Sequence, residues 1–419
     1  MSRPPLPDGP YLILGLARSG AAAAQMLLPH GEVLAADVAH PEPPAGVEAH
    51  LGSGGVELLD RVRCVVKSPG VPNEAPAIAA ARKRGLPVLG ELELAWRLLP
   101  NRFLAVTGTN GKTTTTELLG AVYREAGLEV AVAGNVGTPL ASLVGEVGAG
   151  AVVVCEVSSF QAEDSEAFAP ETALLLNLTE DHLDRHGSFE AYRDAKLRVF
   201  SNQTREHVAV APPRFELPGD GRRVTFGGPE TDLWRRDSTL GWDARELVAA
   251  SEIRLRGAHN LENAMGAAAA ALASGVPPDG VTRALRSFAG VPHRLEEVGT
   301  VGGVLYVNDS KATNVASAAR GIEAFEGGVH AILGGSLKGG GFESLRAPVR
   351  SRCRACYLIG QAADRLEANL AGTVPLRRCG DLSSAVRAAS AAASPGDVVL
   401  LSPACASYDQ FRDFEERGD

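Results

Sequence analysis

FLAVTGTNGKTTTTELL, residues 103–119, is the stretch on which the fold turns. Its first four residues are apolar and read as a buried strand. TGTNGKTT, residues 107–114, then supplies a glycine turn, a lysine and a run of hydroxyls. ELL continues as a helix. In such a strand–loop–helix unit the glycines let backbone N–H groups converge on a phosphate, and the helix adds its positive N-terminal end. Lys112 is placed for β- and γ-phosphate oxygens, and the Thr113 hydroxyl suits Mg²⁺. A parallel α/β domain that holds a nucleoside triphosphate is predicted.

Working outward, a second turn of the same kind lies upstream. YLILGLARSGAAAA, residues 11–24, reads as strand, glycine turn and Ala-rich helix. The strand EVLAAD ends in Asp37, and CVVKSPGV runs into the turn Ser68-Pro69-Gly70. Ala17 stands where the second glycine of G-x-G-x-x-G belongs. Read alone, this turn fits weak NAD binding or another nucleotide with its diphosphate at the helix N-terminus. A helix from Glu91 and then Pro100 mark a linker. Downstream, strands alternate with helices through YRDAKLRVF and GAHNLENAMGAAAAALASG, and a third α/β unit begins after VPHRLE. The predicted fold class is α/β in three domains: Rossmann-like 1–92, a central P-loop domain 93–293, and a Rossmann-like C-terminal domain 294–419. Residues 214–247 are Pro/Gly-rich and read as irregular. The end, DVVLLSPACASYDQFRDFEERG, reads as strand, Ser-rich loop and closing helix, with Ser407 and Phe414 two helical turns apart.

Composition narrows the class. At 419 residues the chain exceeds one core. It is 45% hydrophobic, and no apolar run reaches the roughly 18 residues of a membrane span. The N-terminus lacks a signal pattern, which places the protein in the cytoplasm. A net charge of −9 argues against nucleic acid as the main partner. The six cysteines are scattered, as in a reducing compartment, and Cys353-x-x-Cys356 has no second pair to complete a zinc site. Of 41 basic residues only six are lysine. Lys67 and Lys83 read as ordinary charges. Lys112, Lys196, Lys311 and Lys338 sit in Gly-, Asn- or His-rich motifs, company that weakens a chance reading and raises the question of whether an amine or a compact charge is needed there.

In open parallel sheets, ligands gather at the carboxyl ends of strands. Asn135, Glu156 and His182 each follow an apolar run of strand type. Glu156 suits Mg²⁺, and histidine is a less usual ligand for it. Lys196, alone on a helix, reads as a solvated charge marked only by the scarcity of lysine.

Together the motifs TGTNGKTT, GNVG, EVSSFQ, DHLDRH, YRDAKLRVF, GAHNLENAMGA, PHR, NDSKATN and SPACASYDQFRDFEERG make the chain resemble the Mur ligases of peptidoglycan synthesis along nearly its whole length. The last motif resembles the D-glutamate-adding members. The resemblance implies an ATP-dependent amide ligase. It would phosphorylate the carboxylate of UDP-N-acetylmuramoyl-L-alanine and pass the acyl group to the amine of D-glutamate. ATP and Mg²⁺, with two ions expected, would be required, and a monomer is expected. Carried over by position, Gly108, Thr109, Asn110, Gly111, Lys112, Thr113 and Thr114 would hold ATP. Asn260, Asn263, Arg294 and Asp309 would add nucleotide contacts, and Asn135 would lie at the reacting phosphate. Thr113, Glu156, His182 and a carbamylated Lys196 would bind metal. Arg18, Ser19, Asp37, Ser68, Pro69 and Gly70 would cradle UDP. Thr313, Lys338, Ser407 and Phe414 would surround D-glutamate. Two departures stand out: the loop GGSLKGGGF lacks the acidic residues that often flank its lysine in the family, and no arginine follows Asp37.

Three other readings compete. A sister ligase such as folylpolyglutamate synthetase would share the ATP loop but lack SPACASYDQF. A guanine-nucleotide switch would carry N-K-x-D, and the chain has no Asn-Lys pair. A dehydrogenase would have no use for the phosphate loop.

Overall fold

The computed structural model describes residues 3–255, 257–337 and 341–419. Lys338 lies outside them. The chain forms two compact units, Met1–Ile253 with Glu262–Ser287, and Arg254–Leu261 with Phe288–Asp419. The helix Ala258–Ala273 carries the chain from one to the other.

The first unit holds two parallel sheets. One runs in the order Glu48–Leu51, Val33–Asp37, Tyr11–Leu14, Cys64–Lys67, Val88–Gly90. The other runs Arg222–Thr225, Val208–Ala211, Thr172–Leu175, Arg102–Thr107, Val152–Glu156, Val130–Gly134. In each sheet the strand order reverses beside the strand that feeds a glycine turn, which opens a crevice at its carboxyl end. The helix Glu91–Leu98 joins the sheets and is buried along most of its length. One apolar core runs from Tyr11 and Ile13 through Leu92 and Trp96 to Phe103 and Val153. Thus the sequence boundary at 92/93 runs through a single compact unit.

Charged groups cross the same region. Glu93, fully buried, accepts from the backbone N–H of Glu166, Ala167 and Phe168. Lys67 is also fully buried, and its Nζ donates to Asp164 at 2.5 Å. This corrects the reading of Lys67 as an ordinary charge. Removing one partner of such a buried pair costs about 3–5 kcal/mol.

Residues 214–247 are not irregular throughout. Arg222–Thr225 extends the second sheet, and Leu233–Arg236, Thr239–Trp242 and Arg245–Ala249 form a three-stranded antiparallel sheet. Its strands are four or five residues long, and Asp237 and Asp243 take left-handed turn positions. Short strands between non-glycine turns carry little periodic signal.

The second unit has a six-stranded sheet ordered Glu296–Val301, Val304–Asn308, Val398–Leu401, Val329–Gly334, Cys353–Ile359, Leu376–Gly380. Only the first pair is antiparallel. No helix among the described residues is long and apolar enough to cross a membrane.

Candidate active site

The phosphate loop joins the strand Arg102–Thr107 to the helix Lys112–Glu125. Gly108 and Gly111 have φ of +149° and +84°. A Cβ on Gly111 would run into the Asn263 side-chain amide, and one on Gly108 would crowd Leu176 and Asn177. Glycine is therefore required on both counts. The loop is held from the neighbouring strand end. Asn177 Oδ1 accepts from Asn110 N at 2.9 Å, and Asn177 Nδ2 donates to Asn110 O at 3.0 Å. Thr109 Oγ1 donates to Thr179 O and accepts from Tyr192 OH, each at 3.0 Å. Lys112 Nζ donates to the carbonyls of Gly108 and Thr109 at 3.0 Å. The ammonium thus sits over the loop, where a phosphate would offer it better acceptors.

Beside the loop, Glu156 ends its strand as a buried carboxylate. Oε2 accepts from Thr113 Oγ1 at 2.8 Å, and Oε1 accepts from Asn135 Nδ2 at 3.0 Å. Neither partner carries a charge. A hydroxyl and a carboxylate meeting at a phosphate loop form an oxygen donor set suited to a hard divalent cation. Ser158 and Gln161 then form a capping box that turns the chain into the helix Ser159–Glu163.

Lys196 lies on the helix Phe189–Ser201, and its surface reading is overturned: it is only 2% exposed. Its Nζ donates to Gly108 O at 2.8 Å and sits 4.8 Å from the Tyr192 ring centre. Burial, reinforced by the Lys112 charge, holds this amine well below the ordinary lysine range. The signal was present in the sequence, since Tyr192, Ala195, Lys196, Val199 and Phe200 form one buried stripe at helical spacing. His182, in contrast, is exposed at φ +51°, with Nε2 3.6 Å from Asp181 Oδ2 and its ring edge-on to Phe160. Among the described residues no three His, Cys, Asp or Glu side chains gather as a metal cluster. The fit to a cation therefore rests on Thr113 and Glu156.

The first glycine turn is built differently. Asp37 accepts from Leu16 N at 2.6 Å and Ala39 N at 2.8 Å, so its carboxylate holds the turn itself. Ser68 Oγ donates to Gly15 O at 2.7 Å. A Cβ on Gly20 would run into that same carbonyl, which fixes the third glycine of the motif. Arg18 is exposed and Ser19 half-buried in the first turn of the helix Arg18–Leu27. Pro69 and Gly70 are held by a residue the sequence reading did not single out: Arg185 Nη2 donates to Pro69 O at 3.5 Å and Nη1 to Gly70 O at 3.4 Å. No local pattern marks Arg185, because its partners lie over 100 residues away.

In the second unit Asp309 is buried, accepting from Ser402 Oγ at 2.7 Å and Leu295 N at 3.2 Å. Burial raises its pKa to about 6, against the pull of the Ser402 bond and the Arg294 charge. Arg294 Nε is buried without a hydrogen-bond partner among the described residues. Asn260, in the same unit, is buried, as is Asn263 in the first. Thr313 is half-buried, and its N–H donates to Lys311 O.

The closing helix does not begin after Ser407. Ser407 O accepts from Gln410 N and Phe411 N in a turn, and helix forms only over Phe414–Gly418. Ser407 and Phe414 therefore share no helical face. The buried Arg417 explains the stop: it bonds to Ser310 O and Oγ and to the Cys405 and Ala406 carbonyls, pinning the chain in a non-helical path. The Phe414 ring lies 5.2 Å from Lys311 Nζ and 6.2 Å from the His293 ring.

Comparison with known proteins extends the picture. Residues 106–271 match the Mur ligase middle domain, and residues 293–405 match the family described as Mur ligase, glutamate ligase domain. A UDP-N-acetylmuramoylalanine–D-glutamate ligase of Acidobacterium capsulatum is 42% identical, the match covering 97% of this chain and 94% of the relative. The corresponding ligase of Bacillus subtilis is 38% identical, covering 98% and 95%. Among solved structures, the UDP-N-acetylmuramate-alanine ligase of Thermotoga maritima shares the fold at TM-score 0.61 and 19% identity, covering 94% of this chain and 96% of that one. The MurF ligase of the same organism, in complex with ADP, does so at TM-score 0.59 and 18% identity, covering 94% and 91%.

Proposed function

The chain belongs to the Mur ligase family, and from that premise we propose that it joins D-glutamate to UDP-N-acetylmuramoyl-L-alanine at the expense of ATP. The observation that carries this reading is similarity over 97% of the chain to ligases named for that reaction. The phosphate-loop geometry supports the ATP part of it independently.

A carboxylate is a poor acyl donor because oxide cannot leave. In the proposed reaction its oxygen attacks the γ-phosphorus of ATP and ADP departs. The amine of D-glutamate then attacks the acyl carbon and phosphate departs, leaving an amide. The protein's task is to position reactants and neutralise charge. Lys112, released from the Gly108 and Thr109 carbonyls, would meet the phosphate oxygens, with Gly108, Thr109, Asn110, Gly111, Thr113 and Thr114 around them. Thr113 and Glu156 would hold Mg²⁺, which supplies charge neutralisation at the transferred phosphoryl group. Asn135, already on Glu156, would stand at that group. Burial and the Lys112 charge lower the Lys196 pKa, which favours the neutral amine that addition of CO₂ requires; the resulting carbamate would hold a second ion, with His182 beside Glu156 at the first. Arg18, Ser19, Asp37 and the Ser68-Pro69-Gly70 turn would take UDP. Asn260, Asn263, Arg294 and Asp309 would complete the ATP site. Thr313, Ser407 and Phe414 would receive D-glutamate, with Lys338 assigned there from the sequence alone. On this reading 1–92, 93–293 and 294–419 are three functional modules of a cytoplasmic monomer.

The test is product formation followed by mass, with UDP-N-acetylmuramoyl-L-alanine, ATP and a panel of amino acids. D-Glutamate is expected to be used, and L-glutamate and D-alanine rejected. Leaving buried donors unpaired discriminates by roughly 10⁴-fold. Equal use of L-glutamate, or preference for a diamino acid, would assign the chain to another ligase.

A further inference from the structure

The turn after Lys67 makes one internal bond, Val71 N to Ser68 O, and then presents three successive carbonyls to a single guanidinium. Arg185 Nη2 donates to Val71 O at 2.7 Å and reaches Pro69 O at 3.5 Å, while Nη1 reaches Gly70 O at 3.4 Å. A planar guanidinium spreads five N–H donors over a fixed fork, whereas an ammonium carries three at a single point. The guanidinium lies 5.0 Å from the Phe160 ring centre, and its Nη2 is 3.5 Å from Glu163 Oε1. That same oxygen is 3.4 Å from Lys67 Nζ. Glu163 therefore joins the residue that enters the turn to the arginine that grips it. Phe160 and Glu163 both lie on the helix Ser159–Glu163, three residues beyond Glu156. The network thus ties the turn to the strand end that meets the phosphate loop.

Resting on the assignment of residues 68–70 to the UDP cradle, we propose that Lys67, Glu163 and Arg185 form a positioning clamp. It holds the uridine-nucleotide turn in register with the phosphate-transfer site, with Arg185 as the positioning residue for the UDP-linked substrate. The substrate's carboxylate must meet the γ-phosphate while its nucleotide is anchored at this turn. A misplacement of about 1 Å between such groups costs on the order of 10²-fold.

Full-length Arg185→Met, Arg185→Lys and Glu163→Gln are compared with wild type by steady-state ligation, calorimetric UDP binding and thermal unfolding. Arg198→Met is the control: Arg198 donates to Ser165 O at 3.0 Å nearby, with no bond to the turn. Arg185→Met is expected to raise KM for the UDP-linked substrate about tenfold, the loss of a charge-assisted bond, with KM for ATP changed less than about twofold. Arg185→Lys recovers only part of the loss, and Glu163→Gln shifts KM in the same direction by less. Arg198→Met lowers thermal stability without altering the ratio of the two KM values. A UDP-substrate KM that stays within about twofold of wild type, or a matching rise in both KM values, overturns the clamp and leaves a simple structural brace. Should Arg185→Met fail to fold, the isosteric Glu163→Gln decides by the same ratio. Wild-type protein that binds no uridine nucleotide overturns the cradle assignment and the clamp with it. Wild-type binding with an unchanged Arg185→Met overturns the clamp alone.

Discussion

The two glycine turns of the first unit start alike and are spent differently. Each follows a parallel strand, opens a helix and has a carboxylate at the end of a neighbouring strand. At the first turn Asp37 bonds backbone N–H groups, of Leu16 and Ala39. At the second, the Glu156 carboxylate bonds displaceable side chains, the Thr113 hydroxyl and the Asn135 amide. A carboxylate committed to the backbone fixes a shape. One committed to side chains can trade partners for a cation or a phosphate. The first arrangement suits holding a handle, and the second suits chemistry in which charge moves.

The largest expected effect lies at the second turn. Lys112→Ala removes the cation over the loop and should reduce ligation on the order of 10³-fold, with UDP binding and thermal unfolding near wild type. Wild-type turnover would break the contrast, because the chemical turn would then need no cation.

Lys196 sharpens it. Lys196→Ala should lose on the order of 10²-fold in turnover and regain part of it with small carboxylates such as formate. Lys196→Arg places a permanent cation there that cannot form a carbamate, and should fail as well. Burial and Lys112 lower the folded-state pKa of this amine, so it stays neutral to lower pH than an ordinary lysine. Activity should therefore persist below the ordinary lysine range and fall only as acidification protonates the amine. Full activity of Lys196→Arg would reduce the residue to a buried cation.

The smallest effect belongs to the first turn. Asp37→Asn keeps one acceptor oxygen of the two that Leu16 N and Ala39 N use, and loses the charge. KM for the UDP-linked substrate should rise about three- to tenfold, with turnover at saturation unchanged. A fall in turnover with KM constant would place chemistry at the first turn and erase the distinction.

Much of this was legible beforehand. Gly108, Gly111, Lys112 and Thr113 announce their loop through local spacing, and Gly15 and Gly20 theirs. Asp37 and Glu156 were marked by ending apolar runs. Lys196 was legible in principle from the buried stripe of its helix, yet a lone lysine outweighs its neighbours when read singly. The strands within residues 214–247 were missed because they are four or five residues long and turn at Asp237 and Asp243, too short to show a period. The helix expected after Ser407 failed because Arg417, buried against Ser310, imposes a non-helical path that its own segment does not encode.

The sequence by itself determined the order of strands, turns and helices, and where glycine had to stand. These follow from backbone sterics and hydrophobic period, which act over a few neighbouring residues. Only the tertiary structure decided which charges are buried and what they hold. Lys67 meets Asp164 across 97 residues of chain, and Arg185 reaches Val71 across 114. The energy of a charge depends on what excludes water from it. At Lys67 and Lys196 that environment is built by segments distant in the chain, so neither the lysine read as an ordinary charge nor the one read singly as a solvated charge is exposed.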